Sequence, residues 1–207
     1  YEGHYFFLPL CNSSFSPLTK NPGVIDWFTI IIGLITVVTL TIHGANWIVL
    51  KTNSSINNQL KKVVFKLNIA LAILTAFSLG IWQIINPDSL DNFTDKPYLI
   101  IFPIIYFSGL VGLLFIKKLK KDIHAFIFST LLILGGITSS LASMFPVILP
   151  STNTINESLT IYNTAATEYG LAVALNWGII GFILLFVYMM IQKRLMGGKV
   201  DKMDYGH

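Results

Sequence analysis

Five stretches of this chain are apolar almost without interruption, and each is long enough to cross a lipid bilayer. They run Val24–Leu50, Val63–Ile85, Tyr98–Ile116, Ile123–Leu149 and Tyr169–Ile191. About 20 apolar residues in a helix traverse the hydrocarbon core. In lipid, a single spanning segment must satisfy its backbone internally, which leaves the helix as its form. The first stretch alone holds 15 Leu, Ile, Val or Phe residues, each favouring insertion by roughly 0.3–0.6 kcal/mol near a helix centre. That outweighs its one interior histidine. Only 12% of the 207 residues are charged, about half the share usual in a soluble domain. The expected fold is therefore an all-α integral membrane protein. Five transmembrane helices, forming a bundle plus a final helix, make a single membrane domain over residues 1–207.

The charges between the apolar stretches set an orientation. Lys51, Lys61, Lys62 and Lys66 follow the first stretch, and Lys117, Lys118, Lys120 and Lys121 follow the third. Lys193, Arg194, Lys199 and Lys202 follow the fifth. These are 12 of the 14 basic residues; the opposite side holds Lys20 and Lys96 among several acids. The positive-inside rule makes the lysine-rich side cytoplasmic, so the N-terminus is expected outside and the C-terminus inside. Trp27, Trp82, Tyr98 and Tyr169 then fall near the outer interface, and Trp47 and Tyr188 near the inner one. The net charge of +4 is thus a matter of topology, and no nucleic-acid partner is expected. Cys11 is a lone cysteine, which supplies neither an internal disulfide nor a metal-ligand spacing. Tyr1–Asn21 reads as a loop entered in mid-chain, so the sequence is expected to be part of a longer subunit.

No Asp or Glu lies in the interior of any apolar stretch; Asp26 sits at the rim of the first. An intramembrane acid is the usual mark of a proton or cation path. His43 is the one ionisable group well inside a stretch. Thr29, Gly33, Thr36, His43 and Trp47 share a helical face, a small and polar stripe expected to meet other helices. On that reading His43 hydrogen-bonds a neighbouring helix. The sharper reading makes it a haem ligand, a quinone-site residue or a proton donor, with His124 at similar depth as a second ligand. Gly135, Ser139 and Ser143 recur at four-residue spacing, as in a tight contact between membrane helices. Asn176, Trp177 and Gln83 read as interhelical or interfacial contacts. The lysine clusters offer anionic lipid a secondary attraction.

Two separated segments carry a family resemblance. Thr41-Ile42-His43-Gly44-Ala45-Asn46-Trp47, with Leu50-Lys51-Thr52 after it, resembles a helix end in subunit II of cytochrome bd-type quinol oxidases. There a His- or Gln-Gly-Ala step precedes a Lys- or Arg-Thr turn. Met144-Phe145-Pro146-Val147-Ile148-Leu149-Pro150-Ser151-Thr152, followed by Ser158 to Thr167, is similar to the family's segment before the last helix. The resemblance covers the C-terminal part of the subunit and implies that its first half precedes Tyr1. It implies a bacterial inner-membrane, multi-pass location and a complex that oxidises quinol and reduces oxygen to water. Haem b and haem d would be carried by the partner subunit I, and this chain would be a noncatalytic structural and assembly subunit. The resemblance leaves room for a small single-helix subunit and a structural quinone. It transfers no catalytic, cofactor-binding or metal-ligating residue onto this chain.

Two other classes of function compete on residues alone. A fragment of a secondary transporter or permease would also show basic inner loops and glycine-rich helices. Such proteins break their helices near the midplane, and Pro103 is the only proline deep in a stretch. A small haem-binding membrane cytochrome would rest on His43 and His124.

Overall fold

Asp26 opens the first helix with a reciprocal cap. Its Oδ1 accepts from Thr29 N at 2.8 Å, while its own amide donates to Thr29 Oγ1 at 2.9 Å. Two of the otherwise orphaned first-turn donors are satisfied in this way. The computed structural model describes residues 15–18, 25–53, 56–118, 121–149 and 158–195. Its helices are α1 (Trp27–Lys51), α2 (Ile56–Ile85), the short α3 (Asp91–Asp95), α4 (Ile101–Leu114), α5 (Asp122–Met144) and α6 (Glu168–Leu195). Among the described residues, five helical stretches are long and apolar enough to cross a membrane: α1, α2, Pro97–Leu114, α5 and α6. Cys11, Lys20, Lys120, Lys199, Lys202 and most of the loop read over Tyr1–Asn21 lie outside the described residues.

The chain divides into two units. The first contains residues 1–50 and 54–144, the second 51–53 and 145–207. In the first, α1, α2, α4 and α5 close around Ile42, Val64, Leu71, Leu110, Leu113 and Leu132. The closest approach is between α4 and α5. A β-carbon at Gly109 would fall 2.6 Å from Leu132 N, and one at Gly135 2.6 Å from Tyr106 Cα. No side chain fits there, so the two backbones touch. With no aqueous driving force between membrane helices, such close packing is what holds them together. Phe28 on α1 stacks on Trp82 of α2 at 5.9 Å, which pins the start of one helix to the end of the other.

Several boundaries differ from the hydropathy reading, each for a local reason. α2 begins seven residues before Val63, so Lys61 and Lys62 are on the helix with Lys66 and not in a loop. At 1.5 Å per residue its 30 residues extend about 45 Å, enough to reach through the headgroups. The stretch taken as Ile123–Leu149 stops being helical at Met144. Pro146 lacks an amide hydrogen and clashes with the preceding turn, and Val147–Leu149 is a strand instead. Pro103 does not break a helix at mid-membrane. It lies in the first turn of α4, just after the 3-10 turn Pro97–Ile100, where a missing N–H costs least. Between α2 and α4, the 3-10 turn Pro87–Leu90 and α3 fold back on the bundle. Asn92 Nδ2 there donates to Ala142 O and Ser143 O, at 3.2 and 3.0 Å. These are carbonyls that the end of α5 leaves open.

The second unit contains a two-stranded antiparallel ladder and α6. The strands β1 (Val147–Leu149) and β2 (Leu159–Thr160) pair Val147 with Thr160 and Leu149 with Leu159, across an irregularity. Ile161 N donates to Pro146 O at 3.0 Å. Along α6 every described residue except Gly170 and Gln192 is exposed.

Candidate functional site

The polar residues of the first unit form two seams between helices. On the first, His43 Nδ1 lies 2.9 Å from Ser129 Oγ, linking α1 to α5. One turn on, Asn46 Nδ2 donates to Ala125 O at 3.2 Å. The His43 ring packs on Phe126 with centroids 4.7 Å apart, and Trp47 meets the same phenyl at 5.2 Å. Ser129 has one hydroxyl hydrogen, and the carbonyl of Phe126, 2.9 Å away, can only accept it. With Nδ1 protonated the hydroxyl donates to Phe126 O and accepts from the imidazole; with Nδ1 bare it donates to the imidazole instead.

The second seam joins α2 to α4. Asn68 Nδ2 donates to Leu113 O at 3.1 Å, and Thr75 Oγ1 is 2.9 Å from the Tyr106 hydroxyl. Side chains that hydrocarbon would strand are thus paired across helices, as membrane proteins require. Ser129, Asn68, Thr75 and Tyr106 escaped sequence reasoning. Their only signal there was polarity inside an apolar stretch, which names a residue but not its partner.

The small and polar stripe on α1 is only partly what it was expected to be. The helix buries Phe28, Thr39, Ile42, Asn46 and Val49. Gly33 and Thr36 are exposed, and a β-carbon on Gly33 would meet nothing within 4 Å. Large apolar residues, Thr39 and the bonded Asn46 define the inner face, with half-buried His43 at its border. On α5, Gly135 does make the expected helix contact. Ser139 Oγ is buried without a partner among the described residues, and Ser143 Oγ turns back to Ser140 O at 3.0 Å. Gln83, read as an interhelical or interfacial contact, bonds locally to Pro87 O at 3.2 Å. Asn176 and Trp177 stand exposed on α6.

The two histidines differ in setting. His124 Nδ1 is 3.2 Å from Lys121 O in the turn before α5, whereas His43 is held by Ser129 and Phe126. Among the described residues no group of three His, Cys, Asp or Glu side chains is gathered as a metal site. His43 is bonded through Nδ1 and covered on one face by the Phe126 ring, as the helix-joining reading expects of it.

At the lysine-rich end of the first unit lies a cleft of about 510 Å³. Lys61, Lys62 and Lys66 reach it from α2, Lys117 from the turn after α4, and Lys121 and Asp122 from the start of α5. The structure thus brings two of the three basic clusters to one end of the bundle. Lys61 Nζ pairs with Asp122 Oδ1 at 2.6 Å, with both side chains partly exposed. Lys117 Nζ sits 3.5 Å over the centroid of Phe65, a favourable cation–π placement.

The loop before α6 gives the second resembling segment a structural sense. Thr160 N donates to Asn163 Oδ1 at 2.7 Å, and Asn163 Nδ2 donates to Ser158 O at 3.0 Å. The motif residues Pro146, Thr160 and Asn163 thus hold a turn against the short ladder. The family profile described as "Cytochrome bd terminal oxidase subunit II" matches residues 8–196.

The chain belongs to that family.

A curated relative, "Probable cytochrome oxidase subunit 2" of Haemophilus influenzae, is 23% identical over 84% of this chain and 53% of its own length. The chain therefore spans about half the length of that relative. Membership in the bd oxidase subunit II family, with five helices able to span a bilayer, makes this a multi-pass protein of a bacterial membrane. Pro103, the one proline deep in an apolar stretch, lies in the first turn of α4 and breaks no helix.

Proposed function

We propose that this chain is a noncatalytic, structural part of a quinol-oxidising, oxygen-reducing terminal oxidase, with haem b and haem d carried by the partner subunit I. The observation that carries this reading is the commitment of the bundle's polar side chains. His43, Asn46, Asn68, Thr75 and Tyr106 each bond a neighbouring helix. Each is thereby engaged in joining helices, His43 through its Nδ1. A bundle of this kind suits a scaffold against which a haem subunit is assembled. The lack of acidic residues inside the apolar stretches fits a subunit part that carries no proton path of its own.

The lysine-rich end is taken as cytoplasmic, which leaves the N-terminus outside and the C-terminus inside. The convergence of Lys61, Lys62 and Lys66 with Lys117 and Lys121 at one end supports that side assignment, because the positive-inside rule acts on charges sharing one face. Residues 1–207 are read as belonging to one membrane-embedded subunit.

The test is purification of the full-length subunit, tagged at its C-terminus, from native membranes under mild detergent. A reduced-minus-oxidised spectrum should show b- and d-type bands only when a larger subunit co-purifies, together with quinol-dependent oxygen uptake. A colourless preparation lacking such a partner would overturn the oxidase role. Haem bound by this subunit in isolation would overturn its noncatalytic part.

A further inference from the structure

We propose that the lysine-lined cleft of the first unit is a binding site for the headgroup of an anionic phospholipid. Five lysines and a single aspartate line it, and the aspartate is already engaged by Lys61. Lys62, Lys66 and Lys121 thus face the cleft with no carboxylate within salt-bridge distance among the described residues. Ammonium groups gathered in this way call for an anion with several acceptor oxygens, and a phosphodiester supplies them.

The walls decide between a free anion and a lipid. Val49, Val64, Phe65, Leu113 and Ile116 line the same cleft, and a free inorganic anion would leave them uncovered. A phospholipid satisfies both parts, with phosphate at the lysines and the first methylenes of its chains on the apolar wall. The depth agrees. The apolar run of α2 starts at Val63 and that of the third span ends at Ile116, so the cleft lies where hydrocarbon gives way to headgroups. Asn68, fully buried, also lines the cleft. Lys117 is held over Phe65, which positions one of the charges before any ligand arrives.

This inference requires that the chain spans a membrane, and does not depend on the oxidase role. The test uses the full-length subunit in its native complex, exchanged into nanodiscs of phosphatidylglycerol and phosphatidylcholine. Lipid retained through native mass spectrometry is the readout, independent of haem content or oxygen uptake. Wild type should retain phosphatidylglycerol over phosphatidylcholine. Each lysine neutralised should weaken retention about fivefold, so the triple variant Lys62→Gln, Lys66→Gln, Lys121→Gln should lose it by about a hundredfold. The matching triple arginine variant should retain it, which separates lost charge from lost fold. The pair Lys193→Gln and Arg194→Gln on α6 should leave it unchanged.

Equal retention by the triple glutamine variant would overturn the site, as would equal retention of the two lipids by wild type. Displacement of the lipid by inorganic phosphate at the same concentration would show a free-anion site instead. Loss of the partner subunit by the triple glutamine variant, with its phosphatidylglycerol retention unchanged, would overturn the lipid site and make the cleft a protein-docking surface.

Discussion

Gly135 on α5 faces Tyr106 on α4 so closely that a β-carbon on the glycine would fall 2.6 Å from the tyrosine Cα. The obstacle is backbone, which cannot rotate away as a side chain could. Gly135→Ala is therefore expected to destabilise the bundle by about 1–3 kcal/mol through overpacking. Gly33→Ala, where a β-carbon meets nothing within 4 Å, should be neutral or slightly stabilising. Thermal unfolding of the two variants in detergent checks the pair. Equal midpoints would show that the α4–α5 contact does not hold the bundle.

His43 should behave as a helix-joining residue. Bonds of this sort between membrane helices are worth about 0.6 kcal/mol on average. His43→Gln keeps a donor and should stay within about that amount of wild type. His43→Ala loses both the Ser129 bond and the Phe126 contact and should cost about 1–2 kcal/mol. Denaturant titration measures both. Haem content of the assembled complex should be unchanged in His43→Gln; its selective loss would restore the ligand reading.

Asn68 offers a contrast between two nearly isosteric changes. Asn68→Leu removes the bond to Leu113 O and should cost about 1–2 kcal/mol. Asn68→Asp removes the same donor and buries a carboxyl group against a carbonyl, at about 3 kcal/mol or more. The order of the two unfolding midpoints is the test. Aspartate proving as stable as leucine would mean that water reaches this site.

The cap on α1 predicts a local effect. Asp26→Ala removes the acceptor for the Thr29 amide and should cost about 1 kcal/mol. Asp26→Asn retains an acceptor oxygen and should be close to neutral. Hydrogen exchange at the Thr29 amide should rise in the alanine variant only. Unchanged exchange there would show that another group meets that amide.

The existence of the five spans, and the basic identity of one end, could be read from residues alone. Transfer into a bilayer sums over residues, so the 15 large apolar side chains of Val24–Leu50 announce a helix whatever surrounds them. The Phe145-Pro146 step was equally visible in sequence. Hydropathy alone still carried the fourth span on to Leu149, because a sum of transfer energies does not register a missing backbone donor. The inner face of α1 was legible only in part. Gly33 and Thr36 were expected to meet other helices, yet Thr39, Ile42 and Asn46 do so. Either face would look small or polar enough until the neighbours are known.

Pairing belongs to the tertiary structure. That His43 meets Ser129 86 positions away, or Asn68 the carbonyl of Leu113, depends on two helices arriving at one depth and rotation. No local rule encodes such a coincidence. The cleft is of the same kind. Its lysines were plain in the sequence as three separate clusters marking a side of the membrane. Only the antiparallel closure of α2, α4 and α5 brings two of those clusters around one cavity. Composition and order along the chain determined which segments enter the bilayer, because insertion is an energy of single residues. The fold decided which polar groups meet within it, because a hydrogen bond is an energy of pairs.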